Sequence, residues 1–371
     1  MTSSDSTITE SIEKIEKKRN LSSPELPNSF DLPSAAIPQN PLLDSSRAEN
    51  AYKGPLEIPF KWGFFSKLPA NARAENFSLE AFSVISLVHI LAFSYAIPTF
   101  SWSGLAWMIA LSFVAGCFGV TAGYHRLLTH RSFKAHPAVR NFFTFCAAIS
   151  LESGPIRWVA THRLHHSQSD QPNDPHSPTV NFLWAHVLWN FFTHPDLKTP
   201  EQLRRLALDI ADDPVMQWFE QNFFGVYLGS LAALYVGGYA TGGPTLALSW
   251  LVWGGLVRTV WTWHITWLVN SATHVWGYRN YRTPEGSRNL WWVALVTFGE
   301  GWHNNHHADQ RAARNGHRWF EFDITYALIK LLSTVGLVWD IAPVSKSLVP
   351  EGQPVGQHAN PYRASKEPIA I

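Results

Sequence analysis

The chain has 371 residues, with 29 Lys+Arg against 28 Asp+Glu, and its net charge of +1 points to neither nucleic acid nor an acidic substrate. Its unusual numbers are 17 His and 18 Trp, and Trp is the residue enriched where a ring sits half in lipid and half in water. Only Cys117 and Cys146 occur, both within apolar stretches, so core packing is expected of them rather than a disulfide or thiolate metal site.

In chain order, residues 1–60 are rich in Ser, Pro, Glu and Lys without a sustained apolar period, which predicts a disordered tail. The first twenty residues contain no apolar core, so no secretory signal is expected. Residues 81–100 and 102–124 are two uncharged runs that meet near Ser101. About 20 helical residues span a hydrocarbon core of roughly 30 Å, so the two runs predict a helical hairpin. A second hairpin is expected over 222–240 and 246–268, broken by Thr241-Gly242-Gly243-Pro244. Residues 344–371 read as a second tail, leaving 61–343 as the membrane domain. The mean hydropathy of −0.08 looks soluble only because polar tails dilute these segments. The links at 99–103 and 241–244 carry no Lys or Arg, whereas basic residues populate the N-terminal tail, 125–221 and the stretch after 257. By the positive-inside rule both termini and the large central loop are cytoplasmic. The expected fold is therefore an all-α integral membrane protein, with four transmembrane helices in two hairpins under a cytoplasmic helical cap. The competing fold is a large soluble protein with buried helices.

Every histidine cluster falls on the cytoplasmic side. "HRLHH" contains His162, His165 and His166, and "HNNHH" contains His303, His306 and His307. On a helix, positions i, i+3 and i+4 share one face. "HRLLTH" adds His125 and His130, and "NSATH" adds Asn270 and His274, at the cytoplasmic ends of the second and fourth spans. These nine histidines exceed the usual four ligands of one zinc and suit two ions. Imidazole alone does not choose among zinc, copper, iron and nickel, and the membrane setting favours iron acting on a lipidic substrate. His89, His136, His176, His186, His194, His264, His317 and His358 stand apart and read as surface or hydrogen-bonded residues. Asp170, Asp174, Glu152 and Glu300 flank the clusters and are candidates to accept the free N–H of a ligand imidazole.

The motifs "GYHRLLTHRSFK", "RWVATHRLHH", "TWLVNSATH" and "GEGWHNNHHA" resemble those of the integral-membrane fatty acyl desaturases, and of their delta-9 branch in particular. The likeness covers about residues 60–343. It implies a di-iron centre, with His125, His162, His166, His303 and His307 on one iron. His130, His165, His274 and His306 would ligate the other, with Asn270 holding a water on it. It further implies a narrow acyl tunnel with Trp158, Thr266 and Trp267 at its bend, and Phe113 and Cys117 limiting chain length. Ala160 stands where acyl-CoA-using animal relatives carry an Arg that contacts CoA, which leaves the carrier open between CoA and lipid.

The implied reaction is O2-dependent desaturation of a saturated C16 or C18 acyl chain, giving a cis double bond expected at delta-9. The chain's task is then to place one C–C bond at the metal and exclude water. No His-Pro-Gly-Gly heme motif follows His136 or His194, so a separate electron donor of ferredoxin or cytochrome b5 type is expected. Arg126, Arg131 and Lys134 form a candidate basic face for an acidic donor. The rival readings are a di-iron hydroxylase, a metal transporter or store, and a zinc hydrolase. The last lacks an H-E-x-x-H pair.

Overall fold

The computed structural model describes residues 68–69 and 72–351. The tail expected over 1–60, most of the C-terminal tail and His358 lie outside the described residues. Helix α1 is Leu79–Tyr95, N-capped by the Ser78 hydroxyl, which accepts from Ala81 N. Helix α2 begins at Trp102, and its cap Ser101 accepts from Gly104 N at 3.0 Å while touching Ser249 Oγ at 2.6 Å. The sequence break near Ser101 is thus a capped helix start, tied by that hydroxyl to a distant helix.

Helix α2, Trp102–Ser112, continues over Phe113–Thr129 as a wider π-helix. It packs against α3, Pro137–Ala148, where Gly119 brings the two backbones so close that a Cβ would overlap Cys146 and Ala147. Helix α4, Pro155–Gln168, starts with Pro at its first turn, where the missing N–H costs nothing, and it carries HRLHH. The short α5 is Phe182–His186.

Helix α6 runs from Pro214 to Ser249, but Gly242 (φ −156°, ψ 24°) and Gly243 (φ 76°) are not helical. Gly243 takes the left-handed region without a Cβ penalty, and Pro244 restarts the helix. Gly238 lies against Ala247 and Leu246, so the two halves fold back on each other. The chain continues as a second π-helical stretch, Trp250–Val257, and as α7, Arg258–Ser271. The stretch packs on α1, α2 and α6. Two apolar helical segments, Trp102–Thr129 and Pro214–His274, have the length and composition to cross a bilayer, as expected of a mostly helical membrane protein.

Helix α8 is Trp291–Val296, α9 is His303–Ala308 with HNNHH, and α10 is Ile324–Thr334 against the π-helix. A two-residue antiparallel pair joins Lys134–Ala135 to Val338–Trp339. Cys117 and Cys146 are free and fully buried, as their apolar context suggested.

Gly119→Ala is expected to destabilise the protein by about 1–3 kcal/mol, since the α2–α3 backbones must separate. Gly229→Ala, whose Cβ would meet nothing within 4 Å, serves as the control. Thermal unfolding in one detergent compares them, and equal midpoints would show that this close approach is unimportant.

Candidate metal centre and acyl cavity

In both HxxHH boxes the i and i+4 members pair, with Nε2 of His162 and His166 3.0 Å apart and Nε2 of His303 and His307 3.1 Å apart. The i+3 member is turned by about 100° from i+4 and points to the other box. Thus His306 Nε2 lies 3.0 Å from His166, and His165 Nε2 lies 3.4 Å from His307. The boxes exchange one histidine each.

His125 and His130 join the first group through contacts of 3.1 Å to His306 and His162. Five residues on an α-helix would place them about 140° apart. In the π-helix the i→i+5 bond from His130 N to His125 O, 3.1 Å, stacks them on one face instead. His274 joins the second group 3.1 Å from His303. Two donor sets result: His125, His130, His162, His166 and His306, then His165, His274, His303 and His307, each with its ligand atoms within 4.8 Å of one another. The grouping implied by resemblance differs, because it keeps His303 and His307 with His162 and His166. The i+3 crossover instead brings His306 to that set and moves His303 and His307 to the other, while the π-helical register brings His130 beside His125.

The donors fit a metal. Imidazole nitrogens about 2.0–2.1 Å from one ion lie about 3.0–3.4 Å from their neighbours, the spacing found here. Burial pushes His130, His162, His166, His303, His306 and His307 well below the usual histidine range, and their neighbours push further, so each is held as the neutral imidazole that ligates. Carboxylates orient the rings from behind. Asp174 lies 3.0 Å from His165 Nδ1, Asp170 3.2 Å from His274 Nδ1 and Glu300 2.8 Å from His125 Nδ1. Glu285, 3.6 Å from His307 Nδ1, has the same place, and its loop carries no sequence pattern that would have exposed it. The two asparagines of HNNHH are scaffold. Asn304 Oδ1 accepts from the backbone N–H of Asn280 and Tyr281, and Asn305 bridges Asn280, Asn289 and the buried Glu321. A six-residue helix needs such support, since short helices are marginal alone.

Beside the donors lies a mostly apolar cavity lined by His125, His162, His303, Asn270, Trp158 and Thr266, with Gly116 and Val120 farther along the π-helix and Phe298 packed against it. Trp158 and Thr266 are among its lining residues. Phe113, Cys117 and Trp267 stand outside the lining: Phe113 packs on Phe298, Cys117 Sγ lies 3.6 Å from Thr325, and Trp267 stacks on Trp263. Glu152 orients no imidazole. It accepts from Thr266 Oγ1 at 2.8 Å and from Trp158 Nε1 at 3.3 Å, clamping two cavity side chains together.

Arg126 is not on a basic face. It is buried between Glu300 and Asp323, donating to them at 2.8 and 2.9 Å. Lys134 is exposed but 3.0 Å from Asp340, and Arg131 remains exposed. Three histidines read as solitary also meet: His264 lies 3.1 Å from His89 and 3.0 Å from His186. His264 uses both ring nitrogens there, so the trio bridges α1, α5 and α7 rather than chelating. His176 packs at a tilt against His165, with ring centroids 4.3 Å apart.

A fatty acid desaturase family model matches residues 102–330, which contain all ten candidate ligands. The chain belongs to the fatty acid desaturase family. This desaturase is 41% identical over 261 residues to the sn-1 stearoyl-lipid 9-desaturase of Anabaena variabilis, covering 70% of the chain and 92% of that relative. It is 40% identical to the sn-2 palmitoyl-lipid 9-desaturase of Nostoc sp. (strain 36), over 64% of the chain and 81% of the relative. An acyl-CoA 5-desaturase of Anemone leveillei is 39% identical, over 71% of the chain and 80% of the relative.

Removal from water pushes the Glu152 carboxyl up to about 7, opposed by its two hydrogen bonds. The folded protein therefore holds this proton after the unfolded chain has lost it, and stability falls as pH rises from 4.5 through about 7. Glu152→Gln is expected to remove that decline from unfolding curves of the desaturase. Parallel pH profiles for the two proteins would refute the clamp's protonation.

Proposed function

We propose that the protein is an O2-dependent acyl-lipid desaturase that introduces a cis double bond at the delta-9 position of a saturated C16 or C18 chain. The observation that carries this is the pair of polyhistidine donor sets opening on an apolar cavity lined by His125, His162 and His303. The relatives named above are desaturases rather than hydroxylases, and two of them act on lipid-bound acyl groups at position 9. Ala160 is fully buried, so the position that would serve CoA in other members faces the core here.

Two iron ions would be held by the nine histidines, with Asn270 beside the four-histidine set. Bound iron would supply the oxidising power needed at an unactivated methylene. The residues do the rest. Trp158 and Thr266, clamped by Glu152, hold the chain against the donor sets, and the apolar lining excludes water. Asp174 and Asp170, behind His165 and His274, hold Nδ1–H and leave Nε2 free to ligate.

The membrane arrangement that fits is four spans, with α1, α2 and its π-helical continuation, and the two sides of the Gly242–Gly243 break. Termini and metal centre lie on the cytoplasmic side, and residues 61–343 form the catalytic domain. Electrons come from a separate ferredoxin or cytochrome b5 type donor.

Cells expressing the chain are expected to gain cis-9 monoenes in their membrane lipids, and a His166→Ala control is not. Hydroxylated chains, or equal monoenes from the control, would overturn the proposal.

A further inference from the structure

We infer that Phe298 is the floor of the acyl cavity and sets the longest chain the protein accepts, an inference that rests on the acyl reading of that cavity. The π-helix lines the cavity with His125 at the donor sets, and with Val120 and then Gly116 about two turns away. Phe298 meets it at that far end. Its ring lies so close to Gly116 that a Cβ there would come within 2.5 Å of it, so only glycine admits the ring. On its other side the ring stands edge-on to Phe113 at 5.5 Å, and Phe113 is 36% exposed on the outer surface of the helix. One aromatic layer therefore separates the end of the cavity from the outside.

The backbone holds the ring there at a cost. Phe298 has φ 58°, a left-handed conformation that a bulky side chain rarely adopts. Three contacts impose it. Phe298 O accepts from Thr325 N at 3.0 Å, and Gly299, at φ 119°, donates its N–H to Ala294 O at 2.8 Å. Thr325 is fixed in turn by the Thr121 hydroxyl at 2.7 Å, and Thr121 also lines the cavity. Two residues on, Glu300 lies against His125. The turn that positions the floor thus also positions a carboxylate at the donor sets, which fixes the distance from floor to metal. That distance decides how many carbons fit beyond the reacting bond.

The test compares wild type, Phe298→Ala, Phe298→Trp and Gly116→Ala in two ways. Product chain lengths are read from cellular lipids. Separately, thermal stabilisation of each purified protein is measured with saturated phosphatidylcholines carrying C14 to C22 chains, which needs no turnover. Phe298→Ala is expected to raise the ratio of long to short products at least fivefold and to move the most stabilising chain upward by two carbons or more. Phe298→Trp should move both downward, and Gly116→Ala, which displaces the ring without altering its backbone, should also change the preference. Unchanged preference in every variant overturns the inference, whether or not they turn over. If the wild type makes no monoene, the desaturase proposal fails, while the stabilisation series still decides whether Phe298 limits the cavity.

Discussion

Nine imidazole nitrogens approach within 3.0–3.4 Å of their neighbours, and wherever Nδ1 holds the ring's proton the facing Nε2 lone pairs repel unless a cation lies among them. Burial keeps most of these rings neutral, so protonation offers no relief, and carboxylates tie up the opposite ring nitrogen of several. A metal ion resolves the conflict. Such a cluster is best described as a site whose folded geometry and metal affinity are one free energy, shared among four separate chain segments.

Those segments are arranged to meet this requirement. The π-helix trades ordinary helical bonding for a register that sets His130 beside His125 on one face. The two HxxHH helices exchange their i+3 members, so neither box completes a set alone. Arg126, next to His125, is spent inside the protein, where it joins Glu300 to Asp323 and so connects the first histidine segment with the stretch around the fourth. Truncating one partner of such a buried network would strand a charge, which makes its members as necessary to the centre as the ligands. The cavity inherits its order from the same elements: Thr121 and His125 share the π-helix, and Phe298 and Glu300 share one turn.

Much of this was legible in residue spacing. The uncharged runs, the turn near Ser101 and the break at Gly242–Gly243 follow from charge and glycine chemistry, and the candidate ligands from the repeated boxes. Their grouping was not, because it depends on how two helices approach each other and on a π-helical register that no local pattern announces. Glu152 looked like Asp170 and Asp174 in the sequence, yet tertiary contacts turn it to Trp158 and Thr266. Arg126 read as a surface cation for want of its distant partners. His89, His186 and His264 have no mutual spacing and meet only through the packing of α1, α5 and α7.

The most direct measurement is anomalous diffraction from crystals of the iron-loaded protein. Two peaks are predicted, one surrounded by His125, His130, His162, His166 and His306, the other by His165, His274, His303 and His307. A single peak, or two peaks with His303 and His307 grouped with His162 and His166, would contradict the exchange between the boxes on which this account rests.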